Sequence, residues 1–82
     1  MGQWNKLVDE IIKLNKNLRF DDLSKALTKM GYTQYQPGSG SSHFTFRKPG
    51  KTPITLPKQT PMNRAYVEMV RDAVIEFESE ED

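Results

Sequence analysis

The spacing of apolar residues changes twice along the chain, and these changes limit the folds that it can adopt. In the first part, apolar residues recur three and four positions apart, which is the spacing that places side chains on one side of an α-helix. They are Trp4, Leu7, Val8, Ile11 and Ile12. The sequence therefore predicts an amphipathic helix over about residues 3–15.

A second helix is expected between Phe20 and Gly31. Asp21 and Asp22 are residue types that cap helix N-termini, and an apolar stripe at helical spacing follows them. The stripe consists of Leu23, Ala26, Leu27 and Met30. Gly31 stands where a left-handed residue would close the last turn, because glycine adopts positive φ without a steric penalty.

From Tyr32 the period shortens to two, which is the alternation of a β-strand. We predict strands over residues 32–36 and 42–47, and a third strand between Pro53 and Pro57. Proline fits only an edge strand or the end of a strand. We therefore expect an antiparallel meander in which strand 42–47 lies in the middle.

The middle strand separates two kinds of side chain, since successive residues of a strand point to opposite faces. Phe44 and Phe46 fall on one face and are expected to point into the core. His43, Thr45 and Arg47 fall on the other face and are expected to point into solvent.

Two loops flank this strand. The Pro-Gly-Ser-Gly segment before it contains Gly38 and Gly40, which permit positive φ in a tight loop. The segment after it has Pro and Gly at the central positions of a type II turn, with Lys48 and Lys51 at its ends.

The helical period returns near residue 60. Thr60 is expected as the N-cap and Pro61 as the first helical residue, because that position needs no N–H donor. The stripe consists of Met62, Ala65, Tyr66, Met69, Val70, Ala73, Val74 and Phe77, widened by Val67 and Ile75. We expect this helix to pack on the sheet and on another helix, and its acidic end, residues 78–82, to fray.

The expected fold is therefore α+β with the order α-α-β-β-β-α. Helices cover one face of a three-stranded antiparallel sheet, and the other face is open. The chain has 82 residues, which suffice for one domain and are too few for two.

Composition excludes several kinds of chemistry. The chain has no cysteine and one histidine, so we expect no disulfide, thiol nucleophile or metal site, and no cofactor. No apolar run approaches the roughly 18 residues that suggest a membrane span, and the N-terminus lacks the order of a signal peptide. We expect a cytoplasmic protein with no membrane partner.

Charge is unevenly distributed although the formal net charge is only +1. Between Leu23 and Val67 there are seven lysine and arginine residues and no aspartate or glutamate, whereas the last seven residues carry five acids. A basic segment of this kind favours an anionic partner, because lysine and arginine neutralise phosphates. The same distribution also fits an ordinary solvated surface.

The open face and its loops present a plausible phosphate site. Backbone N–H groups of a glycine-rich turn bind anionic oxygens, and an imidazole exchanges a proton near neutral pH. The site residues proposed on these grounds are Gly38, Gly40, Ser42, His43, Thr45, Arg47, Lys48 and Lys51. A surface histidine and ordinary hairpin glycines are the alternative interpretation.

The segment from Gly38 to Gly50 reads Gly-Ser-Gly-Ser-Ser-His-Phe-Thr-Phe-Arg-Lys-Pro-Gly, and Ile-Thr-Leu-Pro and Ala-Tyr-Val follow it in order. This pattern resembles the HicA (YcfA-like) family of toxin ribonucleases. The resemblance covers roughly residues 20–77, so residues 1–19 form an additional N-terminal helix and connector, and residues 78–82 an acidic tail. Ser41 replaces a glycine of the family pattern, and Lys58 and Gln59 stand where many relatives have a second histidine.

The resemblance implies a fold like the double-stranded-RNA-binding domain, mRNA as substrate and a HicB-like antitoxin as protein partner. It also implies that His43 is the catalytic residue of an endoribonuclease belonging to a type II toxin–antitoxin system.

Metal-independent cleavage of RNA needs a base for the 2′-OH proton, cations to stabilise the phosphorane and an acid for the leaving 5′ oxygen. His43 can perform one proton transfer, and Arg47 ranks first for charge stabilisation because it shares the face of His43. The second proton transfer falls to water, to a lysine or to His43 of a second subunit in a homodimer. We therefore expect a slow enzyme. A non-catalytic RNA-binding module and a protein-interaction domain are the alternatives.

Overall fold

The computed structural model describes residues 3–36, 43–59 and 61–80, which form three helices and three strands. In chain order these elements are α1 (Gln3–Ile12), α2 (Phe20–Lys29), β1 (Thr33–Tyr35), β2 (His43–Arg47), β3 (Ile54–Pro57) and α3 (Arg64–Glu80). The α+β class and the predicted order of elements are confirmed.

Helix α1 ends at Ile12, about three residues before the predicted end. Leu14 adopts a left-handed conformation with φ of 57°. Its N–H donates to the Ile11 carbonyl, and the Asn15 N–H donates to the Glu10 carbonyl, both at 3.0 Å. These two bonds form a Schellman-type ending. A left-handed leucine is unfavourable, but the side chain of Leu14 packs against the core.

Helix α2 begins at Phe20 rather than after an aspartate cap, so the predicted role of Asp21 and Asp22 as N-caps is wrong. The N-cap is Arg19. Asp22 occupies the third helical position, and its carboxylate accepts a hydrogen bond from the Arg19 N–H at 3.0 Å. This bond is the reciprocal half of a capping box, in which the side chain of the third helical residue accepts from the N–H of the N-cap residue.

The end of α2 is as predicted. Gly31 has φ of 101°. The Gly31 N–H donates to the Thr28 carbonyl at 3.1 Å, and the Tyr32 N–H donates to the Leu27 carbonyl at 3.0 Å. These bonds form a Schellman motif, which turns the chain from the helix into β1.

The sheet is an antiparallel meander in the order β1-β2-β3, so the prediction that the histidine strand lies in the middle is confirmed. Strand β1 is one residue shorter at each end than predicted. The turn after β2 is also confirmed, since Gly50 has φ of 80° and the Lys51 N–H donates to the Lys48 carbonyl at 3.0 Å.

Helix α3 begins at Arg64, and the predicted start at Pro61 is wrong. Asn63 is the capping residue, because its Oδ1 accepts a hydrogen bond from the Ala65 N–H at 2.8 Å. Met62 is buried, and its N–H donates to the Leu18 carbonyl at 2.9 Å. That bond ties the segment before the helix to the loop before α2. Thr60 lies outside the described residues.

Helix α3 continues as far as Glu80, so the predicted fraying from residue 78 is wrong within the described chain. The helix packs on α1, α2 and β3, which confirms that it touches both the sheet and other helices. Its most buried residues are Val67, Val70 and Val74. Ala65, Met69 and Ile75, which belong to the predicted apolar face, lie exposed.

The core lies between the helices and one face of the sheet. Phe46 is fully buried, and the ring of Phe20 lies 5.0 Å from that of Phe44 and 6.1 Å from that of Phe46, measured between centroids. Ile11 of α1 is also fully buried, so the N-terminal helix is part of this core. Within the described ranges, none of the helices combines the length and apolar character needed to cross a membrane.

Candidate functional site on the open face of the sheet

The face of the sheet opposite the core is defined by strand register. Thr33 pairs with Arg47, Tyr35 with Thr45, and Thr45 with Thr55. Side chains of directly paired residues project to the same side. We use the name open face for the side chains of Thr33, Tyr35, His43, Thr45, Arg47 and Thr55. All of them are exposed except Thr45, which is half-buried.

The opposite orientation of the neighbouring residues supports this assignment. Phe44 and Phe46 point into the core, as predicted. Gln34, which lies between Thr33 and Tyr35, accepts a hydrogen bond at its Oε1 from the Ser24 hydroxyl of α2 at 2.8 Å. The alternation therefore holds in both β1 and β2.

A row of polar side chains crosses the middle of the open face. Tyr35, Thr45 and Thr55 lie side by side on the three strands. The hydroxyl oxygens of Thr45 and Thr55 are 3.2 Å apart and share a hydrogen bond. These hydroxyl groups can both donate and accept, which suits contacts with phosphate oxygens or ribose hydroxyls.

His43 and Arg47 lie at opposite ends of β2 on this face. Four residues of a strand span about 13 Å, so the two side chains are placed to meet different phosphates rather than one. The sequence placed Arg47 on the face of His43 correctly. Arg47 follows His43 by four positions. In a helix this spacing would bring the two side chains together, but in a strand it separates them.

Lys48, a predicted phosphate ligand, does not lie on the open face. Its Nζ is 4.9 Å from the centroid of the Phe77 ring and 5.8 Å from that of the Tyr32 ring. These are cation–π distances. The alternation of β2 continues into the turn, so Lys48 follows Phe44 and Phe46 toward α3.

Lys51 is also directed to α3. Its Nζ lies 2.6 Å from Oε2 of Glu80 and 3.3 Å from Oε2 of Glu76. Glu76 and Glu80 are one helical turn apart, so a single ammonium group contacts both. The lysine neutralises carboxylates at the helix C-terminus and thereby supports the last turn of α3.

This ion pair shifts the pKa values of both partners. The hydrogen bond from Lys51 lowers the pKa of Glu80 from its ordinary value of 4.5. The hydrogen bond to Glu80 raises the pKa of Lys51 from its ordinary value of 10.5. Burial raises the pKa of the neighbouring Tyr32 hydroxyl, and the charge of Glu76 adds to that shift.

We expect Lys51→Gln to lower the melting temperature at neutral pH, and the difference from wild type to shrink on acidification. Because the pKa of Glu80 is lower in the folded state, its contribution is present above its ordinary value of 4.5 and is lost as the pH falls through the folded value. The contribution of Lys51 is present below its ordinary value of 10.5 and is lost as the pH rises through its raised pKa. Thermal unfolding monitored by circular dichroism across the acid range measures the first effect.

The control is Lys58→Gln, which removes the same charge from an exposed lysine just after β3. Its effect on the melting temperature is expected to be small and nearly independent of pH. A wild-type advantage over Lys51→Gln that persists unchanged well below the ordinary pKa of Glu80 would contradict the ion pair.

The remaining predicted ligands are not located by the structure. Gly38, Gly40 and Ser42 lie outside the described residues, so the predicted glycine-rich phosphate loop stays a prediction. The described part of the site thus places His43, Thr45 and Arg47 on one face of the sheet, whereas Lys48 and Lys51 are directed to α3.

The sequence interpretation missed three residues of the open face, which are Thr33, Tyr35 and Thr55. Thr55 could have been found, because Ile54 and Leu56 were expected to point inward and the residue between them must point outward. Tyr35 could not be assigned, since its position beside Thr45 depends on the register of β1 with β2.

None of the protein-family models, curated proteins or solved structures compared with the chain matches it. The resemblance to the HicA family therefore depends on the residues quoted above.

Proposed function

We propose that the chain is an endoribonuclease of the HicA type, which binds mRNA on the open face and cleaves it with His43. The observation that carries the proposal is the position of the only histidine of the chain. It is an exposed residue on the middle strand, on a face whose six named side chains include a guanidinium, four hydroxyl groups and no carboxylate. Such a face suits a polyanion with 2′-hydroxyl groups.

The proposed reaction is an internal transesterification. His43 accepts the proton of a ribose 2′-OH, and the 2′ oxygen forms a bond to the adjacent phosphorus. The bond from phosphorus to the 5′ oxygen breaks, and that oxygen takes a proton. The products are a 2′,3′-cyclic phosphate and a free 5′-hydroxyl group. The step needs neither a metal ion nor a cofactor.

The positions of the cations support a slow enzyme. Arg47 is about 13 Å along the strand from His43, so it is better placed to hold a neighbouring phosphate than to stabilise the phosphorane. Lys48 and Lys51 are engaged with α3. The second proton transfer remains assigned to water, a lysine or His43 of a second subunit.

The proposal is tested by incubating purified protein with single-stranded RNA in EDTA and identifying the ends of the products. We expect cleavage that leaves cyclic phosphate ends, and no cleavage of an RNA whose 2′ oxygens are methylated. The His43→Ala protein, purified identically, controls for contaminating nuclease. Wild-type protein that binds RNA but leaves it intact would refute the catalytic proposal.

The separation of His43 from Arg47 favours one alternative, an RNA-binding module of the same fold without catalytic activity. That module would use the threonine hydroxyls and Arg47 for backbone contacts. It predicts that both wild type and His43→Ala bind RNA equally and that neither cuts it. A protein-interaction domain predicts no RNA binding at physiological salt.

The resemblance also suggests protein partners. We propose that a HicB-like antitoxin neutralises the protein by covering His43 and Arg47 on the open face. A homodimer would supply a second His43 for the remaining proton transfer. A cleavage rate per chain that rises with protein concentration in parallel with dimer formation, measured by sedimentation, would support the second arrangement.

A further inference from the structure

We propose that Tyr35 is the residue on which the substrate stacks a base, so that the open face selects single-stranded RNA. This inference rests on the proposed function and specifies its substrate class. Tyr35 is 51% exposed and belongs to β1, an edge strand of the sheet. A large aromatic side chain with half its surface in water at this place has no role in the core.

Strand register places Tyr35 between the two ends of the proposed site. It pairs directly with Thr45, and its diagonal neighbours on β2 are therefore His43 and Arg47. Diagonal neighbours in an antiparallel pair have Cα atoms roughly 7–8 Å apart. The position of Tyr35 on β1 thus lies between those of His43 and Arg47 on β2.

The order His43, Tyr35, Arg47 across the face matches the order phosphate, nucleoside, phosphate along an RNA strand. A base stacked on Tyr35 has one phosphate on each side of its ribose. One phosphate can then meet Arg47 while the other lies toward His43. The separation of about 13 Å along the strand between His43 and Arg47 is too large for a single phosphate, and the arrangement assigns the two residues to different phosphates.

Among the described residues of the sheet, the side chains beside Tyr35 leave room for a base. Thr33, Thr45 and Thr55 are short, and the hydroxyls of Thr45 and Thr55 are held together at 3.2 Å. These short side chains form a flat polar surface beside the Tyr35 ring. Bases in a duplex are stacked on each other and cannot reach such a ring, whereas bases of a single strand can be splayed out onto it.

The inference is tested by measuring RNA affinity in the His43→Ala background, which keeps the RNA intact. A fluorescent single-stranded RNA and the same RNA annealed to its complement are titrated with the parent and with Tyr35→Ala, Tyr35→Phe and Tyr35→Leu. We expect Tyr35→Ala to bind the single strand roughly five- to 150-fold more weakly. Tyr35→Phe is expected to retain the parental affinity, and Tyr35→Leu to resemble Tyr35→Ala, because stacking requires the π-face.

Duplex RNA provides the second readout, and its affinity is expected to be the same for all four proteins. An RNA carrying 2-aminopurine is expected to lose fluorescence on binding the parent and not on binding Tyr35→Ala. Circular dichroism checks that each variant is folded.

The outcomes separate the two claims. If Tyr35→Ala binds single strands as tightly as the parent while Arg47→Gln binds them more weakly, stacking is wrong and the open face remains the binding surface. If the parent does not bind RNA, the proposed function and this inference both fail.

Discussion

Replacing Ile11 with alanine is expected to lower the free energy of unfolding by about 2–5 kcal/mol. Ile11 is fully buried although it belongs to the N-terminal helix that precedes the HicA-like segment. Truncation removes apolar burial and leaves a cavity among tightly packed neighbours. A domain of this length has a total stability of only about 4–12 kcal/mol, so the loss is a large part of it.

The adjacent Ile12 provides a matched control, because it has the same side chain on the same helix and is 38% exposed. Ile12→Ala is expected to cost much less. Urea unfolding of the three proteins, followed by circular dichroism, measures the difference. Equal losses for the two variants, or no loss for Ile11→Ala, would show that α1 is not part of the core.

Replacing His43 with alanine is expected to lower the rate of RNA cleavage by about 10²- to 10⁴-fold, the usual contribution of one positioned acid or base. The affinity for RNA is expected to change little, because Arg47 and the hydroxyl groups of the open face remain. Single-turnover cleavage at saturating protein measures the rate, and fluorescence anisotropy with an RNA whose 2′ oxygens are methylated measures the affinity.

The two readouts distinguish catalysis from binding. A lower affinity with an unchanged rate at saturating protein would make His43 a binding residue only. Cleavage that is equal in wild type and His43→Ala would assign the activity to another group or to a contaminant. Lys58→Ala, at an exposed lysine that we place outside the open face, is the control for loss of a residue near the sheet.

Much of the fold could be predicted because local sequence and tertiary structure agree. The period of two in residues 43–47 indicated both the strand and its two faces, and the buried Phe46 confirms the inward one. Gly31 indicated the end of α2, since the left-handed position there favours glycine. The prolines around β3 indicated an edge strand.

The ends of the other helices depend on contacts that the local sequence does not show. Helix α3 starts late because the Met62 N–H bonds to Leu18, which is distant in sequence. Its acidic end stays helical because Lys51 binds Glu76 and Glu80. Each partner lies on another part of the chain, so neither effect follows from helix propensity or capping preference.

Which residues belong to the site also depends on contacts between distant parts of the chain. Charge counting grouped Lys48 and Lys51 with Arg47, but the turn directs the two lysines to α3. Register brought Tyr35 beside Thr45. Alternation within β2 predicted which of its residues share a face, whereas the neighbours contributed by other strands required the structure.

Chemical-shift mapping will locate the RNA on the protein and thereby test whether the open face binds it. Isotope-labelled protein is titrated with a single-stranded RNA whose 2′ oxygens are methylated, so that it cannot be cleaved. We expect the largest shifts at Tyr35, Thr45, Arg47 and Thr55, and small shifts along α1. Shifts concentrated instead in the groove between α1 and α2, which Trp4, Lys25 and Lys29 line, would show that RNA binds there and not on the open face.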